Sequence, residues 1–114
     1  MTEARQALGR SGEQAVAVWY EARGWSVLTR NFRCRYGEID LILRQHDEVV
    51  FCEVKARRGR SFGDAFEKVD QRRQGRLRRA AVHWLSLEPR GAASVRFDVA
   101  AVRDGVIEVI EGAF

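Results

Sequence analysis

Proline and cysteine are scarce in this chain of 114 residues. Pro89 is its one proline, and Cys34 and Cys52 are its two cysteines. So few cysteines exclude a disulfide-rich framework, and their spacing suits no zinc site, so we expect free thiols. The sequence also lacks repeats, low-complexity tracts and linkers, which predicts one domain over residues 1–114.

Long apolar runs are missing as well. None approaches the roughly 20 residues that a helix needs to cross a bilayer. The first residues, MTEARQALGRSGEQ, lack the apolar stretch of a secretory signal. The sequence therefore predicts a cytoplasmic protein without a membrane partner.

Lysine is the third scarce residue, with two copies among 20 basic residues. The net charge is nevertheless +4, and residues 55–79 hold ten of the basic residues but only three acids. This clustering favours a surface that binds the phosphates of nucleic acid, although a solvated face with a biased composition is the alternative. The candidate nucleic-acid contacts are Arg57, Arg58, Arg60, Arg72, Arg73 and Arg76, with Tyr36 as the best-placed aromatic residue.

Hydrophobic periodicity predicts two helices and five strands in the order α-β-β-β-α-β-β. The first helix covers residues 11 to about 23, capped by Ser11 and Gln14, with an apolar stripe of Ala15, Val18, Trp19 and Ala22. The second runs from a capping-type pair, Asp64 and Glu67, to about residue 87. The strands cover residues 25–32, 38–43, 49–57, 95–102 and 106–110.

The connections between these elements predict the sheet. Short turns make the first three strands an antiparallel meander, and the long helix is a crossover that joins parallel strands. We therefore expect an α/β fold in which helices flank a mixed five-stranded sheet.

Charged residues interrupt two apolar strands. Glu38 and Asp40 lie two apart in the second strand, and Glu53 and Lys55 lie two apart in the third. If the turn between the strands centres on 46–47, cross-strand partners sum to 93, and Asp40 falls opposite Glu53.

Two carboxylates at such a spacing repel each other unless a cation lies between them. Oxygen ligands suit Mg²⁺ or Mn²⁺, and a neighbouring lysine suits phosphodiester hydrolysis. The alternative is a cross-strand ladder of charge pairs, in which Glu38 pairs with Lys55.

The stretches GEIDLIL and VVFCEVKARR resemble the restriction-endonuclease-like superfamily, whose signature is an acid, a gap, then Asp or Glu, any residue, and Lys. More narrowly, GRSGEQAVAVWYEARGWSVLTRNFRCRYGEIDLIL, FGDAFEKVDQRRQGRLRRAA and RFDVAAV resemble the YraN-like family of bacterial proteins. These stretches cover nearly the whole chain. The resemblance implies an α-β-β-β-α-β core, in agreement with the predicted order.

The resemblance also implies roles for individual residues. Asp40 and Glu53, together with the Val54 carbonyl, would be metal ligands, and Lys55 would be the catalytic lysine. Glu13 matches an acid that resolvase-like members place near the metal, although an acid in a first helical turn also suits the helix dipole. Glu38 would be an auxiliary acid.

Arg73 marks a departure from the family pattern, which usually has a lysine there. Helical spacing from Phe66 and Val69 points Arg73 towards the sheet, where it would act as an electrostatic clamp and not as a base. Asp98 is interpreted as structural, with pairing to Arg96 and capping of the sheet edge as the two alternatives.

These residues and the resemblance together predict an endonuclease that depends on Mg²⁺ or Mn²⁺. DNA is favoured over RNA as its substrate, and the expected DNA is branched or junction-like. Such a substrate would suit a homodimer. A nucleic-acid-binding module that keeps the nuclease fold with little or no catalysis is the first alternative. A structural protein with a surface charge ladder is the second.

Overall fold

The computed structural model describes residues 3–56 and 71–114, with side chains from residue 8 onward. Across these residues the elements follow the predicted order α-β-β-β-α-β-β. They are α1 (Glu3–Glu21), β1 (Ser26–Cys34), β2 (Gly37–Gln45), β3 (Glu48–Ala56), α2 (Gln71–Leu87), β4 (Ser94–Arg103) and β5 (Val106–Ile110). The last strand has the predicted bounds, β3 has the predicted length but begins one residue earlier, and the other three strands are longer than predicted.

The five strands form one mixed sheet in the order β1-β2-β3-β4-β5. The pairs β1–β2 and β2–β3 are antiparallel, β3–β4 is parallel, and β4–β5 is antiparallel. The predicted meander, crossover and α/β class are therefore confirmed.

Each helix covers one face of the sheet. On the α1 side, Val16, Ala17 and Tyr20 pack against a cluster of strand residues, namely Leu41, Leu43, Val50, Cys52, Ala100 and Val102. On the α2 side, Leu77, Ala80, Ala81 and Trp84 pack against Ile39, Ile42, Val49, Phe51 and Phe97. Burial of these two apolar layers is the main source of stability.

The predicted apolar stripe of α1 is wrong in phase. Val18 is 52% exposed, whereas Val16 and Tyr20 are fully buried. A Cβ atom on Gly12 would lie 2.9 Å from the Cβ atom of Ala56, so the helix rests closely on β3 along its Gly12–Val16–Tyr20 face. This close approach fixes the rotation of α1 about its axis. The hydrophobic periodicity of the sequence did not predict it.

The start of α1 also differs from the prediction. The helix begins at Glu3, so Ser11 lies inside it and cannot be its cap. Its end is as predicted, because Gly24 takes a φ of +89° after the last turn. The amides of Gly24 and Trp25 donate to the carbonyls of Glu21 and Tyr20, both at 3.1 Å, which is the Schellman arrangement.

The predicted start of the second helix, with Asp64, Phe66, Glu67 and Val69, lies outside the described residues. The helix ends at Leu87, before Pro89, as predicted. Cys34 and Cys52 are both free thiols. Neither described helix is long and apolar enough to cross a membrane.

Candidate functional site

The site lies where β2 and β3 part. Their register agrees with the predicted sum of 93, from Gln45↔Glu48 to Leu41↔Cys52. Beyond that pair, β3 continues beside β4 as far as Ala56↔Val102, while β2 continues beside β1. The sheet therefore forks, and the next residues on the two strands, Asp40 and Glu53, lie at the fork.

Strict strand alternation fails at Asp40. Ile39 packs on the α2 side and Leu41 packs on the α1 side, although residues two apart in a regular strand share a face. Asn31 takes a φ of +52° in β1, between the residues paired with Ile39 and Leu41. The irregularity crosses both strands and turns Asp40 towards the fork.

Asp40 is a carboxylate in a poorly solvated place. Its Oδ2 accepts a hydrogen bond of 2.8 Å from the Val54 amide, so the side chain occupies the position of a strand partner. Burial raises the pKa of Asp40 to about 6, and the nearby charges of Glu13 and Glu38 contribute to the increase. The hydrogen bond from the Val54 amide and the charge of Arg73 act to lower it. The negative charge of Asp40 is therefore less favourable at the fork than in water, and a nearby cation would favour it.

Glu53 and Lys55 are almost fully buried, at 4% and 7% exposure. The Lys55 Nζ lies 3.3 Å from Glu53 Oε1. Arg73, from the first turn of α2, donates from Nε to Glu53 Oε2 at 3.0 Å and from Nη2 to Oε1. The inward direction predicted for Arg73 is therefore confirmed, and one carboxylate holds two cations.

Glu13 reaches the fork from α1. It follows Gly12, whose close approach to Ala56 holds this turn of the helix against β3. Burial raises the pKa of Glu13, a hydrogen bond with Asn31 lowers it, and Glu38 raises it. The helix-dipole interpretation does not apply, because Glu13 lies in the middle of α1 and not in its first turn.

Glu38 lies at the rim of the site. It forms an exposed ion pair with Arg33 at 3.3 Å, with side-chain exposures of 37% and 78%. It is also close enough to raise the pKa values of Asp40 and Glu13. The alternative ladder paired Glu38 with Lys55, and the described ion pairs instead join Glu38 to Arg33 and Lys55 to Glu53.

The donors at the fork suit a hard divalent cation, since all are carboxylate or carbonyl oxygens. Asp40, whose charge is disfavoured, would gain from a nearby cation. As the side chains stand, however, no three His, Cys, Asp or Glu residues within 3–56 and 71–114 are grouped to hold a metal ion. Glu53 faces Arg73 and Lys55 instead.

The basic surface is described only in part. Arg72 and Arg76 are exposed on α2, as a phosphate-facing surface requires. Arg57, Arg58 and Arg60 lie outside the described residues. Tyr36 borders the fork in a cavity of about 210 Å³ that it shares with Glu38, Arg73 and Arg76.

The sequence interpretation missed Gly12 and Asn31. Both are backbone features, a close approach and a positive φ, that place Glu13 and Asp40. For Gly12 the available signal was a glycine beside an acid inside a helix, because glycine is unfavourable there without a packing reason. Asn31 gave a weaker signal, since asparagine tolerates positive φ better than other residues do.

Fold and side chains together define the class: an α/β protein with a half-buried aspartate, a buried glutamate and a buried lysine at a fork in a mixed sheet. A profile described as "Uncharacterised protein family UPF0102" matches residues 12–102. A UPF0102 protein of Frankia alni is 47% identical over 116 residues, covering 97% of each chain. One from Moorella thermoacetica is 42% identical over 120 residues, covering 100% of both chains. This chain belongs to the UPF0102 family, which confirms the YraN-like resemblance.

Proposed function

We propose that this protein is a metal-dependent endonuclease that hydrolyses phosphodiester bonds in DNA, with branched or junction-like DNA as its substrate. One observation carries the proposal: Asp40, Glu53 and Lys55 lie at one fork of the sheet, beside a helix whose described part, Gln71–Leu87, holds five arginines and no acid. Burying this many ionisable groups costs stability, so a functional reason is expected. The free thiols fit a cytoplasmic compartment.

In this proposal Asp40, Glu53 and the Val54 carbonyl hold Mg²⁺ or Mn²⁺. The ion, when bound, supplies Lewis-acid chemistry and lowers the pKa of a bound water. Lys55 stabilises the additional negative charge that the phosphate acquires during attack. Glu13 and Glu38, which both act electrostatically on Asp40, complete the acidic environment.

Arg73 has two alternative partners in the proposal. It contacts both carboxylate oxygens of Glu53, and a metal ion at the site would bind to the same oxygens. An ion held by Glu53 would therefore compete with Arg73 for these oxygens. The guanidinium of Arg73 then binds a DNA phosphate, for which its planar donors are well suited.

The second candidate function is a nucleic-acid-binding module with little or no catalysis. The observation in its favour is the same contact, because Glu53 already has Arg73 and Lys55 as counter-ions. A protein that keeps these ion pairs when it binds DNA would retain the fold and the basic helix but would not cleave.

One panel separates the two functions. Wild-type protein is incubated with single-stranded, duplex and four-way-junction DNA in Mg²⁺, Mn²⁺ or EDTA. Glu53→Ala and the near-isosteric Glu53→Gln test the site, and Glu108→Ala removes an exposed acid on β5 as the matched control. Binding is followed by fluorescence anisotropy and cleavage by gel electrophoresis.

The endonuclease proposal expects metal-dependent cleavage by wild type and Glu108→Ala and none by either Glu53 variant. Salt-sensitive binding without cleavage, unchanged by Glu53→Ala, would overturn it in favour of the binding module. Failure to bind any DNA would overturn both candidates. Calorimetric titration with Mn²⁺ adds an independent readout, since Asp40→Ala should abolish ion binding.

A further inference from the structure

A groove along α2 leads away from the fork. At its near end is the cavity of about 210 Å³ that contains Tyr36 and Arg73. At its far end is a larger cavity of about 370 Å³. Tyr36 lines both, so the two cavities are neighbours at this residue. The residues that line the larger cavity are Tyr36, Arg78, Arg79, Val82, His83 and Ser86.

Aromatic rings form the floor of the larger cavity. The ring centroids of Tyr36 and His83 are 6.3 Å apart at an angle of 65°. His83 in turn stacks on Phe32, with centroids 6.2 Å apart and an angle of 30°. Because Phe32 packs in the α2-side core, the fold supports this exposed histidine from beneath.

Cationic groups surround the rings. The Arg35 guanidinium lies 4.8 Å from the centre of the Tyr36 ring and donates to its hydroxyl at 2.6 Å. Arg78 is held over Phe97, 5.2 Å from the ring centre. With Arg79 in the wall and no acid among the described residues that line the larger cavity, the groove suits a ligand that is flat, aromatic and anionic.

A nucleotide is such a ligand, and the larger volume is within the roughly 300–1,000 Å³ of small-ligand pockets. A base inside a duplex offers only its edges in the grooves, so its face cannot reach these rings. An unpaired base can stack on them. The site therefore selects for DNA that is single-stranded next to the fork.

We propose that the Tyr36–His83 groove binds one unpaired nucleobase of the DNA whose backbone lies at the fork. The substrate class is accordingly duplex DNA with a single-stranded flap or branch. The inference rests on the proposed function only in requiring that DNA binds along α2, and it does not require cleavage.

The test measures binding in EDTA, where cleavage is not an issue. Fluorescein-labelled blunt duplex, single-stranded and flapped duplex DNA are titrated with wild type, Tyr36→Ala, Tyr36→Phe and His83→Ala. Val18→Ala, which removes an exposed side chain from the outer face of α1, is the matched control. A flap with 2-aminopurine next to the junction reports stacking by quenching of its fluorescence.

Tyr36→Ala should weaken binding of the flapped and single-stranded DNA by roughly 5- to 100-fold, as loss of one stacked base predicts. It should leave blunt-duplex binding within about two-fold and abolish the quenching. Tyr36→Phe and Val18→Ala should resemble wild type. His83→Ala should weaken binding of flapped DNA to a smaller degree, and it serves as the second variant if Tyr36→Ala does not fold.

Unchanged flap binding in both Tyr36→Ala and His83→Ala would overturn the inference and leave the proposed function intact. Equal losses on blunt and flapped DNA would also overturn it, because the groove would then contact a paired backbone. If wild type binds none of the three DNAs, the proposed function itself is wrong. These three results are distinct, so the two proposals fail separately.

Discussion

Two aspartates, the fully buried Asp98 and the half-buried Asp40, have opposite environments in this protein. Asp98 on β4 is fully buried and accepts four hydrogen bonds, from the Tyr20 hydroxyl at 2.6 Å, Arg96 Nε and Nη2 at 2.8 and 3.0 Å, and the Gly112 amide at 3.0 Å. The Asp40 carboxylate accepts one hydrogen bond among the described residues, from the backbone amide of Val54, and the acids Glu13 and Glu38 lie nearby.

The difference separates a structural charge from a functional one. At Asp98 the fold supplies donors to both carboxylate oxygens, and bonding to Asp98 raises the pKa of Arg96. At Asp40 the described residues supply fewer hydrogen-bond donors, and burial raises the pKa of Asp40 itself. An acid whose charge is made less favourable by its surroundings is the better candidate for binding a cation from outside.

The largest expected effect is at Asp98. Asp98→Ala should lower the free energy of unfolding by about 3–5 kcal/mol, because it leaves the Tyr20 hydroxyl buried and Arg96 without its main partner. Urea denaturation followed by tryptophan fluorescence measures the change. A loss below about 1 kcal/mol would place Asp98 among ordinary surface acids and remove the contrast with Asp40.

Neutralising Asp40 should change the free energy of unfolding in the opposite direction. Its folded-state pKa of about 6 exceeds its ordinary value of 3.8, so the folded protein binds the proton more tightly than the unfolded chain. The carboxyl therefore lowers stability progressively as pH rises from about 4 to 6, and the loss is complete above that range. Asp40→Asn, which can still accept from the Val54 amide, should be more stable than wild type at pH 8 by up to about 3 kcal/mol.

The check is a pair of denaturation series at pH 4 and pH 8 without divalent ions. The stability gain of Asp40→Asn should be present at pH 8 and should shrink at pH 4, where wild-type Asp40 is largely protonated. The same gain at both pH values would show that charge is not its cause, and a loss at pH 8 would contradict the comparison directly.

The sequence predicted the element order, the mixed sheet and the β2–β3 register, because alternation and turn residues determine these locally. It also predicted a structural role for Asp98, with Arg96 as one of two candidate explanations, and an inward direction for Arg73. It could not predict the fork at Asp40, the rotation of α1 or the role of Tyr20. These depend on Asn31, Gly12 and a contact 78 residues apart in the chain, which arise only when distant elements pack.

A substitution at Tyr20, which donates to Asp98, should have an intermediate effect on the free energy of unfolding. Burial, with Asp98 and Cys52 nearby, raises the pKa of its hydroxyl, which therefore stays protonated and donates to Asp98. Tyr20→Phe should cost about 1–2 kcal/mol, less than Asp98→Ala, because three donors to Asp98 remain. Denaturation of Tyr20→Phe, Asp98→Ala and the double variant measures it, and fully additive losses would show that the two residues are not coupled.

Glu38 should give the smallest effect, since it is an acid on the same strand as Asp40 that remains in water. Its pair with Arg33 is exposed on both sides, and such pairs contribute about 0–1 kcal/mol. Glu38→Gln should therefore change stability by less than about 0.5 kcal/mol. Since Glu38 helps to raise the pKa of Asp40, the same variant should lower that pKa, which nuclear magnetic resonance titration of the Asp40 carboxyl carbon would detect. A stability loss above about 1 kcal/mol, or a higher Asp40 pKa, would mean that Glu38 belongs with Asp98 as a structural acid and not with the electrostatic surroundings of the fork.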